Sequence, residues 1–187
     1  MRNVVLQSSI TEVLTLNEVR EHLGITMPDD NSRDTVLQQK ITSVRELIEQ
    51  ECNRFFSPRT VTTYFDTCDQ VMRLAPDLIS VSTVKYLDVN GVEQTMAGSN
   101  YYIDTTRSLL VVDIIPSIKL RLNAVYVTYT AGLTTCPQIV KDAMYMILLQ
   151  SERFQTNMVE GGRYPMSIPN AALQLLTGYR NFVGFFN

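Results

Sequence analysis

The residues able to do chemistry are few and far apart. The single histidine, His22, falls on the polar side of a short amphipathic stretch. A Ser–His or Cys–His relay would have to run through it, with the nucleophile carried in by the fold. Nothing around it in sequence supports that, and an exposed surface histidine is the simpler reading. Cys52, Cys68 and Cys136 are odd in number, widely spaced and without a CxxC pair, so neither a disulfide framework nor a zinc site is indicated. They read as buried or half-buried free thiols in a reducing cytoplasm. Glu46 and Glu49 would share a helix face near Glu51, but no second acid-rich helix faces them, and such acids are normally solvated. Asp29-Asp30 lacks the downstream pattern of a calcium loop. Gly161-Gly162 has no phosphate-loop frame around it. The expectation is a chain with no catalytic, cofactor-binding or metal site, and not an enzyme.

Length and charge bound the alternatives. A chain of 187 residues makes one domain, or one domain with an arm, and can bury a sizeable core. With 45% hydrophobic and 19% charged residues it has the composition of an ordinary globular protein. A net charge of −3 argues against a general nucleic-acid binder, which carries a basic excess. The opening MRNVVLQSSITEVLT has an apolar run of Val4 to Leu6 only. That is too short for a signal peptide, and nothing approaches a membrane span, so the chain is expected to be made in the cytoplasm.

The elements that would have to position any site are clearer. Residues 1–14 carry no period and read as a flexible segment or an edge strand. Thr15 and Glu18 form a capping box for a short helix with Leu16, Val19 and Leu23 on its stripe, closed by Gly24. A long helix follows, capped by Ser32, with Val36, Leu37, Ile41, Val44, Leu47, Ile48, Cys52 and Phe55 at helical spacing. Lys40, Arg45, Glu46, Glu49 and Arg54 make its solvated face, and Asn53, Phe56 and Ser57-Pro58 mark its end. From Thr60 to Thr130 the period becomes two. Val71 to Leu74 is placed beside Thr60 to Phe65, and Val81–Val89 and Val92–Met96 flank Asn90-Gly91 as a type I′ hairpin. Tyr101–Ile103 and Leu109–Val112 form another hairpin, and Asp113 to Asn123 is a loop or broken strand around Pro116.

Val125, Val127 and Tyr129 then alternate with Tyr126, Thr128 and Thr130 in a strand with one buried face. Ala131-Gly132 breaks it. A helix begins near Pro137 with the stripe Ile139, Val140, Ala143, Met144, Ile147, Leu148, Ser151 and Phe154, widened by Met146 and Leu149 beyond what one neighbour would cover. After the joint Glu160 to Arg163, Ala171 to Thr177 makes a short helix stopped by Gly178. Phe182, Val183, Phe185 and Phe186 follow, an apolar cluster on a segment too short to bury itself, which either folds back onto its own domain or docks on a partner.

The order of these pieces is similar to a known family. TLNEVREHLGI precedes a long helix ending ECNRFFSPRTVT; VSTVKYLDVNGVEQ, YYID and VTYTAG follow; then come PQIVKDAMYMILLQSERF and IPNAALQLLTGYRNF. Over residues 15 to 183 the chain resembles the head–tail connector (head completion adaptor) proteins of tailed bacteriophages. Its tail, Val183 to Asn187, is more aromatic than that pattern. The resemblance implies a structural protein of the virion neck. Such proteins form a ring, usually twelve-fold, below the portal; they extend the DNA channel without sequence-specific contacts and join the filled head to a downstream neck or tail protein. No cofactor and no membrane are implied.

The expected fold class is α+β: mainly a helical bundle of two long helices plus short N- and C-terminal helices, with a small antiparallel β portion and an extended C-terminal arm. The domain reading is a flexible 1–14, an adaptor domain at 15–160 with helices 15–56 and 137–157 around strands 60–130, and an arm at 161–187 docking on the portal. Portal contacts are expected from Leu175, Leu176, Tyr179, Arg180, Phe182, Phe185 and Phe186. The Asn90-Gly91 hairpin and the Asp113–Lys119 loop are expected on the tail side or the channel side. The rival readings are a DNA-packaging accessory protein or another neck ring of the stopper or tail-terminator type.

Overall fold

A computed structural model describes the backbone of residues 2–4, 10–25, 33–156 and 168–181, with side chains for 10–25, 33–152 and 168–181. Among these residues the elements run β1 (Arg2–Val4), α1 (Leu16–His22), α2 (Asp34–Cys52), β2 (Arg59–Phe65), β3 (Val71–Arg73) and β4 (Leu78–Leu87). They continue with β5 (Glu93–Thr95), β6 (Tyr101–Asp104), β7 (Leu109–Val112), β8 (Val125–Ala131), α3 (Gln138–Thr156) and α4 (Asn170–Leu176). The chain divides into two compact units. One is built on Ser57–Thr134 together with the N-terminal strand; the other combines Glu12–Phe56 with Thr135–Arg180.

The strand unit overturns the expected fold class. It is not a small appendage to a helical bundle but a unit of its own with two antiparallel sheets, ordered β1-β2-β8-β4-β5 and β3-β7-β6. Strands of three or four residues give too few alternations to announce a sheet, whereas a 19-residue helix repeats its stripe five times over. At the centre of the larger sheet β8 alternates as its sequence demands, with Val125, Val127, Tyr129 and Ala131 buried. Its neighbours are β2 (Thr63 opposite Val127) and β4 (Val84 opposite Val127). The Tyr129 hydroxyl, in the core, sits 2.8 Å from Thr63 Oγ1 and accepts the Ala75 N–H at 2.9 Å, so its buried polarity is satisfied. Burial pushes the Tyr129 phenol up to about 12.

Two local expectations change. Val71–Arg73 pairs with β7 in the smaller sheet, with Met72 opposite Leu110, and not with β2. Both residues of that pair are buried, and this burial, a property of the sheet's inner face, decides the partner. The β4–β5 hairpin exists, but its loop is not a two-residue type I′ turn. Asp88 N–H donates to Val92 O, Gly91 N–H donates to Asp88 O, and of Asn90 and Gly91 only Gly91 has a positive φ, 81°. This is a three-residue loop ending on a left-handed glycine. Asp88 Oδ1 accepts the N–H groups of Asn90 and Val92, a local network that favours the longer loop.

In the helical unit α1 carries the expected capping box: Thr15 Oγ1 accepts the Glu18 N–H, and the Glu18 carboxylate accepts from the Thr15 N–H. α2 starts after Arg33, which makes no side-chain cap; Ser32 lies outside the described residues. Its end at Asn53 is left-handed, φ 51°. Leu37, Ile41, Val44 and Ile48 of α2 and Val140, Ala143, Met144, Ile147 and Leu148 of α3 are buried, as their spacing requires, while Val36 is exposed. α3 packs against α2 and α4, and α1 against α2. The side of α2 expected to be solvated is partly interior: Lys40, Arg45 and Glu49 are all buried.

Candidate assembly surface

The charged residues of α2 turn out to hold the helical unit together. Arg45, 2% exposed, donates from Nε to Glu12 at 2.9 Å and from Nη1 to Glu49 at 2.7 Å. Burial would lower its pKa, and the Glu12 and Glu49 carboxylates reverse that and raise it. Glu49 Oε1 also accepts the Phe56 N–H at 2.9 Å, which ties the chain beyond α2 back to the helix. A buried cation is tolerated only when its hydrogen-bonding groups are matched in this way. Glu46 lies 3.5 Å from Arg45 on the exposed side, and Glu51 pairs with Arg180. On α3, Glu152 binds Lys40 and Arg33; burial raises its pKa, but those two donors outweigh burial and hold the carboxyl below its ordinary value.

The other chemically capable residues are placed as follows. His22 is exposed and stacks on Tyr145 with centroids 4.1 Å apart. Cys52 and Cys68 are buried and Cys136 half-buried, all free thiols. Burial pushes Cys52 and Cys136 up to about 11, far from the thiolate a nucleophile needs. Among the described residues no group of three His, Cys, Asp or Glu side chains could hold a metal, and no helix is long and apolar enough to cross a membrane. Asp29, Asp30, Gly161 and Gly162 lie outside the described residues.

Of the residues expected to meet a partner, four are described. α4 buries Ala172 and Leu176 completely. Leu175 and Tyr179 remain half-buried, and the Tyr179 ring meets Phe56 edge-on at 6.4 Å. Arg180 binds Glu51. The structure therefore brings Tyr179 and Arg180 to the end of α2. Phe182, Phe185 and Phe186 lie outside the described residues.

A second surface lies in the strand unit. Loop 113–123 is pinned at its entry, where Asp113 N–H donates to Asn100 O, and at its exit, where Asn123 (φ 59°) donates to Asp66 Oδ1 at 2.8 Å. Lys119 N–H reaches Leu87 O at 3.0 Å and Ile118 bridges to Asp88, so the loop runs beside the root of the β4–β5 hairpin. Between these pins Ile114, Ile115, Leu120 and Leu122 are exposed, the last two at 85% and 74%, next to Lys119 and Arg121. Sequence reasoning singled out 113–119 but missed Leu120 to Leu122. The signal was there: aliphatics alternating with cations in a segment with no strand partner to bury them. Such a held, greasy, cationic loop is suited to recognition of another macromolecule and not to covalent chemistry.

No curated protein matches the chain. Among solved structures, the fold is similar to a chain in the neck of an empty GTA particle computed with C6 symmetry (TM-score 0.70, 16% identity). It is also similar to one in the virion of a native gene transfer agent particle (0.67, 19%) and one in the neck of a native GTA particle computed with C12 symmetry (0.63, 17%). In each pairing both chains are covered completely. The family model described as "Head completion protein" matches residues 12–182, which takes in both units and the C-terminal helix. The chain belongs to the head completion protein family.

Proposed function

We propose that this protein is a structural head–tail adaptor of a tailed bacteriophage. It sits in the virion neck, forms a ring below the portal, extends the channel through which the genome passes, and joins the filled head to a downstream neck or tail protein. Family membership over nearly the whole chain carries the reading. The likeness to chains of particle necks, two of them from reconstructions with ring symmetry, supports the neck and the ring. Arg45, Glu12 and Glu49 are engaged in holding the helical unit together, and exposed aliphatics such as Leu120 and Leu122 are left for partners, as a scaffold requires.

Portal contact is assigned to the C-terminal arm: Leu175 and Tyr179, which keep exposed surface, with Arg180 and then Phe182, Phe185 and Phe186. Leu176 acts from beneath, by seating α4. Because α4 is part of the packed helical unit, the informative truncation keeps it. A chain ending at Asn181, mixed with portal protein and imaged by electron microscopy, should remain folded and lose the stacked adaptor–portal rings that the full chain forms. Stacked rings undiminished by the truncation would refute the role of the three phenylalanines. A full chain that never associates with portal would refute the adaptor reading.

A further inference from the structure

Among the described residues, two exposed surfaces of opposite charge have no ion-pair partner for the charges they present. The first is the Leu120–Leu122 segment of the strand unit, where Lys119 and Arg121 flank highly exposed leucines. Neither cation has an ion-pair partner among the described residues. The second belongs to the helical unit, where α1 and α3 meet around the His22–Tyr145 stack. Here Glu21 and Asp142 are exposed, with no cation bound to either among the described residues, and Ile139 and Met146 of α3 are 37% and 39% exposed beside them. The negative potential is felt locally: burial first, then Glu18, Asp142 and Glu21 together, raise the Tyr145 phenol. Lys141 offsets only Glu18, at 3.2 Å.

We infer that in the assembled ring the Lys119–Leu122 loop of one copy docks on the α1–α3 face of the next copy, aliphatics on Ile139 and Met146 and cations on Glu21 and Asp142. A closed ring repeats one heterologous contact and so needs two different, mutually complementary patches on every subunit. This chain supplies both: two cations with aliphatics on one, two acids with aliphatics on the other. DNA would satisfy the cations but leave the leucines in water, so a protein surface fits the loop better. The acids meet the cations at the rim, where they set register and partner choice, while the aliphatics supply burial.

The inference rests on the ring reading, and its test separates the two. Sedimentation of the full chain over a range of concentrations at low salt should show a ring-sized oligomer. In Lys119→Glu/Arg121→Glu, association should weaken about tenfold or more, because two attractive pairs become repulsive. Adding Glu21→Lys/Asp142→Lys to the same chain should restore it. Leu120→Ser/Leu122→Ser should weaken association without the salt dependence. All these positions are exposed, and circular dichroism of each variant checks that it folds. Oligomers insensitive to both loop variants, or a charge swap that fails to rescue, would overturn this interface and leave the ring standing. A parent that sediments as a monomer at every concentration, even with portal present, would overturn the ring and the interface together.

Discussion

Gly132, the last residue of the YTAG segment, is where an added methyl group should do the most damage. Its φ of 122° lies in a region that side-chain-bearing residues rarely adopt. A Cβ built there would stand 2.3 Å from Ser57 O, 2.8 Å from Ser57 C and 3.1 Å from Pro58 Cα, all backbone atoms. Neither side can retreat easily. Ala131, the preceding residue, is held in register by Arg59 of β2 and Leu78 of β4, and Gly132 N–H donates to Asp77 O at 3.0 Å. Ser57 is itself buried. The backbone conformation should cost about 1–3 kcal/mol, and the forced shift of a packed neighbour about 1–3 kcal/mol more. Gly132→Ala is therefore expected to lose about 2–6 kcal/mol, a large part of an ordinary domain's stability.

Urea unfolding followed by circular dichroism measures it. With a slope of about 1–3 kcal/mol per molar, the midpoint should fall by more than about 1 M. Gly98→Ala is the control, since nothing lies within 4 Å of its added methyl and its φ is not positive; it should be close to neutral. A Gly132→Ala midpoint within about 0.3 M of the parent, at unchanged slope, would refute the argument from close approach.

Glu152 gives a pH signature. Its folded pKa is lowered, so its stabilising effect is present above the unfolded value near 4.5 and disappears as pH falls through the folded one. Glu152→Gln, which removes the carboxylate charge that Lys40 and Arg33 bind, should cost about 1–3 kcal/mol at pH 7. The difference from the parent in thermal melts should narrow as pH falls from the unfolded value near 4.5 through the lowered folded one; a gap constant from pH 7 to pH 3 would point to packing instead. In the hairpin, Gly91→Ala should cost about 1–2 kcal/mol, because its φ is 81° while the nearest atoms to an added methyl belong to the flexible Lys119 side chain. Asn90→Ala should be nearly silent in the same denaturant assay, since its φ is not positive and only its backbone N–H is used; equal losses at the two positions would restore the type I′ turn.

Much of the helical unit could be read from local pattern. The capping box of Thr15 and Glu18 and most of the buried stripes of α2 and α3 are where spacing alone puts them, and α2 stops within the expected stretch, at its first residue, Asn53. The period-two alternation of β8 and the pairing of Tyr101–Asp104 with Leu109–Val112 also follow from neighbours in sequence. The order of the pieces pointed to the family.

What the residues could not reveal depends on segments brought together from afar. Arg45 and Glu49 look like a solvated pair until Glu12 and the Phe56 N–H close around them. Val71–Arg73 has no signal naming β7 as its partner, because a three-residue strand finds its neighbour through the face it buries. The exposure of Leu120 and Leu122 is likewise invisible in a string where leucine ordinarily means interior. Caps, stripes and stops act over a few residues and are written in their order. Which strands share a sheet, which charges leave water and which aliphatics remain in it are settled by contacts across tens of residues, and only the folded chain determines those.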